Sequence, residues 1–278
     1  MKIRAERDDM SAIERRIADF ILTEAHLLRD YSSQQLANAL KISQSSVVKF
    51  SQKLGFKGYP DLKYSIGESL ARNESSDADL PVRPEGKDSH AVLAENLWHF
   101  KSLAEQETRL INPPAKLDLI ADLIDNANKV FIIGLGEDGI LARAFTMRLT
   151  LLQIDTALHC DTAQMTTRIS MATPGDVLLL FSEYGQQLPL CRIGRQMQEQ
   201  NGKVVAVTRH NANPVRALSD ESLLVSAHDD RIHIEPLLYQ AALRHLLDTL
   251  FMILCEKKPD QLVDYASNLD RIKDLHNQ

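Results

Sequence analysis

Two short segments concentrate the chemistry in the carboxy-terminal part of this 278-residue chain. Gly134-Leu135-Gly136-Glu137-Asp138-Gly139 follows an apolar run and precedes a helix-length segment. Glycines placed there permit a tight turn and turn backbone N–H groups toward an anion at a helix amino terminus. Ser182-Glu183-Tyr184-Gly185-Gln186-Gln187 follows a second apolar run in the same manner. Asp138 and Glu183 complicate the picture, because a carboxylate beside a bound anion costs Coulomb energy unless a cation intervenes. The first segment also spells GxGxxG, a dinucleotide-binding pattern that is weak by itself. Asp155 lies about the right distance downstream for a ribose contact, yet it precedes the expected second strand, Thr156–His159, instead of ending it. His228 to Glu235 holds several metal-ligand side chains, but their spacing fits no zinc motif and acids there suit a helix start. Neither a metal nor a cofactor is expected.

The amino-terminal part offers different chemistry. Residues 33–54 read SQQLANALKISQSSVVKFSQKL. Ala37, Ile42, Val47 and Phe50 have the spacing of two short helices crossing steeply: a small residue at the approach, an aliphatic plug in the turn, then a buried stripe. Ser43 is placed to cap the second helix, and Ser32 or Ser33 the first. Lys41 sits where this turn often has glycine with positive φ. The outward face then carries Gln44, Ser45 and Lys49, with Ser43 and Ser46 at the helix start and Lys53 and Lys57 beyond. Polar side chains at a helix amino terminus reach base edges, and lysines meet phosphates.

Charge agrees with that division. The chain holds 32 basic and 38 acidic residues, net −6, but Lys41–Lys63 contains five basic residues against one acidic. A local basic patch on an acidic protein suits docking to a polyanion. Hydrophobic residues make up 44% and charged residues 25%, ordinary globular usage that excludes a disordered or fibrous chain. No apolar run approaches the ~18 residues of a membrane span. The charged first residues lack the apolar core of a secretion signal. Cys160, Cys191 and Cys255 are far apart with no CxxC, as in a reducing cytoplasm.

Positioning these groups requires two kinds of scaffold. Ala71–His90 is nearly free of large apolar residues and contains Pro81, Pro84 and Gly86, so it reads as a linker. Helices are expected over about Ala91–Leu110 and on to Asn126. Beyond Lys129, apolar runs at Val130–Ile133, Val177–Phe181, Val204–Val207 and Leu223–Val225 alternate with helix-length segments. That alternation predicts a parallel sheet covered on both faces. Two long helices close the chain, and Leu237–Leu254 reads as core or dimer surface. The expected division is 1–74, a linker 75–90, and 91–278.

Ser33–Leu54 followed by GFKGYPDLK (Gly55–Lys63) resembles the amino-terminal domain of RpiR-type bacterial transcription regulators. The resemblance implies an all-α helix-turn-helix domain followed by an α/β sugar isomerase (SIS) domain, a parallel sheet flanked by helices that senses phosphosugars. It implies binding to a double-stranded DNA operator with paired half-sites, as a homodimer or homotetramer, under a small-molecule, sugar-derived effector. The effector cleft would be built from Gly134, Gly136, Glu137, Asp138, Ser182, Glu183, Tyr184, Gly185 and Gln187. The family's GxGxS and SxSGxT turns hold the sugar phosphate by hydroxyls and amides. Here Asp138, Tyr184 and Gln187 replace three hydroxyl residues, so ordinary sugar phosphates are expected to bind poorly. Two rivals remain at this stage: an NAD(H)-sensing helix-turn-helix repressor, and a sugar-phosphate isomerase with an accessory helical domain.

Overall fold

A computed structural model describes Ile3, Arg7, Leu28 and residues 10–23, 31–74, 89–159, 161–229 and 231–276. Most of the expected linker, with Cys160 and Asp230, lies outside them. The chain divides into two compact units, 1–103 and 104–278.

The first unit is helical: α1 (Ala12–Thr23), α2 (Ser33–Ala39), α3 (Gln44–Lys53) and α4 (Tyr59–Glu74), followed by the amino-terminal part of α5 (Ser89–Ile111). Its core is the apolar stripe expected from the spacing. Ile17, Ile21, Leu36, Ala37, Val47, Phe50, Leu54 and Leu62 are buried, and Ile42 packs against them from the turn. Ala37 is completely buried, as a close helix crossing requires. Ser32 caps α2 in a reciprocal capping box with Gln35, its Oγ accepting the Gln35 N–H at 3.2 Å and its N–H reaching Gln35 Oε1 at 2.8 Å. Lys41 adopts φ 50°, the left-handed conformation its place in the turn requires, which costs a non-glycine residue about 1–2 kcal/mol.

The second unit continues through α6 (Pro114–Asp125), β1 (Val130–Gly134), α7 (Glu137–Leu151), β2 (Thr156–Leu158), α8 (Thr162–Ile169), β3 (Val177–Phe181), α9 (Leu188–Glu199), β4 (Lys203–Arg209), α10 (Pro214–Leu218), β5 (Glu221–Val225), α11 (Glu235–Lys257) and α12 (Pro259–His276). The five strands form one parallel sheet in the order β2-β1-β3-β4-β5. β1 and β3 are buried along their whole length, which is why they read as continuous apolar runs. One sheet face packs α8 and α9 through Phe131, Ile133, Leu178, Leu180, Val204 and Ala206. α11 packs against α6, α7 and β5. By length and composition α11 resembles a membrane span, but it buries Leu238, Tyr239, Leu243, Leu246, Leu247, Leu250 and Leu254 within the domain.

Edge strand β5 is covered by the side chains of Thr108, in the last turn of α5, and of Asn112, just past its end. Asn112 donates from Nδ2 to Leu224 O (2.6 Å) and accepts the Leu224 N–H on Oδ1 (3.0 Å). Thr108 Oγ1 donates to Ser226 O (3.2 Å) and accepts the Ser226 N–H (3.0 Å). These pairs supply the partners that a neighbouring strand would otherwise give the edge.

Candidate nucleic-acid interface and effector cleft

α3 starts at Ser43, whose Oγ accepts the Ser46 N–H at 3.2 Å and lies 2.8–2.9 Å from the Ser45 and Ser46 hydroxyls. Val47, Phe50 and Ser51 face the core, which turns Gln44, Ser45, Lys49 and Lys53 to the exposed side, with Ser46 half-buried. Gln44 Nε2 donates to Ser33 Oγ (2.9 Å), fixing the side chain beside the start of α2. Lys53 pairs with Glu14 of α1 at 3.0 Å, a contact the sequence reading did not anticipate. Glu14 also accepts the Ser11 N–H at 2.7 Å. Although partial burial opposes it, the hydrogen bonds from Ser11 and Lys53 hold the Glu14 carboxyl below its ordinary range. With Lys53 Nζ half exposed, the pair is of the kind worth about 0–1 kcal/mol, readily exchanged for a phosphate. Lys57 lies past α3 in the turn before α4, exposed, its backbone N–H donating to Asp61.

In the second unit the strand order reverses between β1 and β3, and Gly134 and Phe181 are register partners at their carboxyl ends. The two glycine-bearing loops therefore leave the sheet side by side, at the switch point where open α/β sheets bind ligands. Gly134 and Gly139 meet each other: a Cβ on Gly139 would lie 2.7 Å from Gly134 O, so strand and helix approach only because both lack one. Gly136 takes φ 61° to turn into α7. Leu135, Glu137, Asp138, Ser182, Glu183 and Gln187 are among the residues lining a cleft of about 360 Å³. Tyr184 and Gln186 complete the second loop's share, and Gly185, at φ 63°, is held against Asn213.

Loops and cleft are tied together by side chains the sequence reading did not connect. Asp138, only 7% exposed, accepts the Glu183 N–H on Oδ2 at 2.8 Å. Glu183 in turn pairs with Arg209 at the end of β4 (2.5 Å), and Arg209 also binds Glu235 at the start of α11 (2.7 Å) and Ala227 O (2.8 Å). The Arg209 guanidinium is covered by the rings of Tyr184 and Tyr239, 5.0 and 5.3 Å from their centroids. Burial foremost, against the hydrogen bond from Glu183 N–H, pushes the Asp138 carboxyl up from 3.8 to about 6. Asp138 Oδ1 and the Tyr239 hydroxyl are both buried and complete no hydrogen bond of ordinary length, although the phenol approaches closely enough to lower the carboxyl's pKa.

The expected conflict of two carboxylates beside the loops is thus partly resolved internally, because Arg209 neutralises Glu183. Arg209 was missed; the available signal was a cation closing an otherwise apolar strand at the edge where both loops lie. Asp155 sits at the opposite, amino end of the sheet, paired with Lys129 at 2.9 Å and level with Val130, so it cannot meet a ribose held by Gly134–Gly139. Asp229 pairs with Arg231 (2.7 Å), and no cluster of three potential metal ligands occurs among the described residues. A larger groove of about 650 Å³ follows edge strand β2 past Lys129, Asp155, His159 and Arg168. It lies away from both glycine loops.

Comparison with known proteins bears on both units. The rpiR-family helix-turn-helix domain model matches residues 1–73, and the SIS domain model matches residues 123–254. The HTH-type transcriptional regulator YfhH of Escherichia coli is 29% identical over 258 residues, 92% of each chain. The Vibrio vulnificus NanR protein complexed with ManNAc-6P superposes with a TM-score of 0.62 at 20% identity, covering 99% of this chain and 97% of that one. The sugar isomerase domain of an RpiR transcription factor from Sphaerobacter thermophilus gives 0.58 at 16% identity, over 64% and 98%. At these identities the two structures speak for the fold. An rpiR-type helix-turn-helix domain followed by a SIS domain, over a chain aligned across 92% of its length with an HTH-type transcriptional regulator, gives this protein the domain composition of an RpiR-type DNA-binding transcription regulator.

Proposed function

We propose that the protein is a cytoplasmic homodimer or homotetramer that reads a duplex DNA operator with two related half-sites. In this reading 1–74 binds DNA, 75–90 links, and 91–278 senses a small sugar-derived effector without catalytic turnover. The carrying observation is α3: a helix anchored by buried Val47 and Phe50 that leaves Gln44, Ser45 and Lys49 exposed beside a capped amino terminus. Gln44, Ser45 and Lys49 would meet bases or their immediate surroundings, and Lys53 and Lys57 phosphates. One recognition helix covers only a few base pairs, so useful specificity calls for paired sites. The effector reading is supported by the cleft at the sheet's switch point and by NanR, a relative in fold whose structure holds ManNAc-6P. Engagement of Asp138 and Glu183 by the Glu183 N–H and Arg209 favours sensing over proton transfer.

Within the second unit, hydrogen bonds lead from the cleft to the carboxy-terminal part of α5. Arg209 holds Ala227 O, and neighbouring Ser226 is held by Thr108 of α5, the helix through which the chain enters this unit. An effector that binds one arrangement of this chain of contacts better than another would shift α5. Genome-wide mapping of bound sites tests the reading: it expects one enriched motif with two related half-sites, and no enriched motif rejects it. A sugar-phosphate turnover assay is expected to show no conversion; conversion would restore the isomerase rival.

A further inference from the structure

We propose that the outer edge of β2 pairs with β2 of a second copy of this chain, antiparallel about a two-fold axis at Ala157, so that two five-stranded sheets become one. The proposal rests on reading the protein as a homo-oligomer and names the surface of one of its contacts.

The two edges of the sheet are finished differently. At β5 the outward backbone groups of Leu224 and Ser226 are bonded by the side chains of Asn112 and Thr108. At the other edge the Val130 N–H donates to Asp155 O (2.9 Å) and the His159 N–H to Ile132 O (3.4 Å). Alternate residues of a parallel strand bond the same neighbour. Asp155, Ala157 and His159 therefore face β1, while Thr156 and Leu158 direct N–H and C=O outward. Among the described residues, no hydrogen bond reaches those outward groups. The strand is half-buried and lines the groove of about 650 Å³, so this edge is open. Thr156–Leu158 contains no proline or lysine, residues that keep bare edges apart.

The strand's own sequence points to its occupant. A two-fold axis at Ala157 sets Thr156 opposite the partner's Leu158, where the two exchange N–H···O bonds. Every outward group is then satisfied. Ala157 meets its own copy at the intervening position, where Cα atoms come to about 4.5 Å and side chains are closest. Alanine is small enough for that approach. The same axis brings Asp155, at the amino end, opposite the partner's His159, at the carboxyl end, an acid against a base. Exposed Met171 lines the same groove and offers apolar surface for a second chain to cover. A strand from an unrelated protein could make the backbone bonds but would not share this self-matching register.

Cysteine trapping in the full chain tests the register. Cys160→Ser removes the neighbouring thiol, and Cys191 and Cys255 are buried. In that background Ala157→Cys is expected to form a disulfide-linked dimer under mild oxidation, since its Cα separation suits the bond. Thr156→Cys and Leu158→Cys, each offset from its own copy, should cross-link at least about ten-fold less. Equal or weaker cross-linking at 157 overturns the proposal. Thr156→Pro deletes only an outward N–H, and an edge strand tolerates it. By sedimentation it should lose one association step, whereas Thr156→Val should lose none. Unchanged assembly of a folded Thr156→Pro also overturns the proposal; if that variant does not fold, the cysteine comparison decides alone. An unmodified chain that sediments as an oligomer without cross-linking at 157 refutes this surface and leaves the oligomeric reading intact. A monomer at operator-binding concentrations refutes both.

Discussion

Two ion pairs, one in each half of the protein, differ in a way that separates their roles. Lys53–Glu14 lies on the surface of the helix-turn-helix unit, its side chains 48% and 21% exposed; Arg209–Glu183 lies under the cleft, at 4% and 15%. Water already screens the first, so exchanging Glu14 for a DNA phosphate changes little in the protein itself. The second has exchanged water for partners on every side, and removing one member strands the other in a dry site. The DNA-facing unit thus presents contacts that are easily traded, while the cleft has its ionic groups matched before any ligand arrives.

The sharpest way to break this comparison is Arg209→Met. It leaves Glu183 and Glu235 without their common cation, and the expected loss is about 3–5 kcal/mol of stability, read from denaturant unfolding of the full chain. A loss below about 1 kcal/mol would show that the network is as solvated as the surface pair.

Asp138→Asn follows in size. Burial raises the Asp138 pKa from 3.8 to about 6, so between these values the native state holds more proton than the unfolded chain. Stability from this group is therefore present in acid, falls as pH rises through that window, and stays lower above it. A shift of this size is worth at most about 3 kcal/mol. Asp138→Asn should remove the slope and raise stability at neutral pH; an unchanged profile between pH 4 and about 6 would mean the carboxyl is solvated.

The same contrast explains what was legible in the sequence. Ala37, Ile42, Ser43, Val47 and Phe50 fall within fourteen residues, and local spacing dictated caps, core and exposed face together. Even the left-handed Lys41 follows from its place in the turn. The parallel sheet was readable because strands buried on both faces become apolar runs. Arg209 was not, since its partners come from β3's loop, β5's end and α11, and only the sheet order brings them together. For the same reason the sequence showed two carboxylates beside the loops without their countercharge. The Lys53–Glu14 pair was hidden likewise, its members being 39 residues apart.

Lys53→Ala is the smallest of these effects on the fold and the most selective on function. Unfolding free energy should change by less than about 1 kcal/mol. The slope of log affinity against log salt, measured on duplex DNA, should become shallower by about 0.9 without change in preferred sequence. Loss of stability with an unchanged slope would place Lys53 with the buried pairs.

Base discrimination by α3 is the central claim, and selection of bound duplexes from a random pool by the unmodified chain and by Gln44→Ala tests it most directly. The expected result is one motif for both proteins, with discrimination relaxed at a single position in each half-site, by about 1–3 kcal/mol there. A motif unchanged at every position, with folding intact, would contradict the assignment of Gln44 and the exposed face of α3 to the bases.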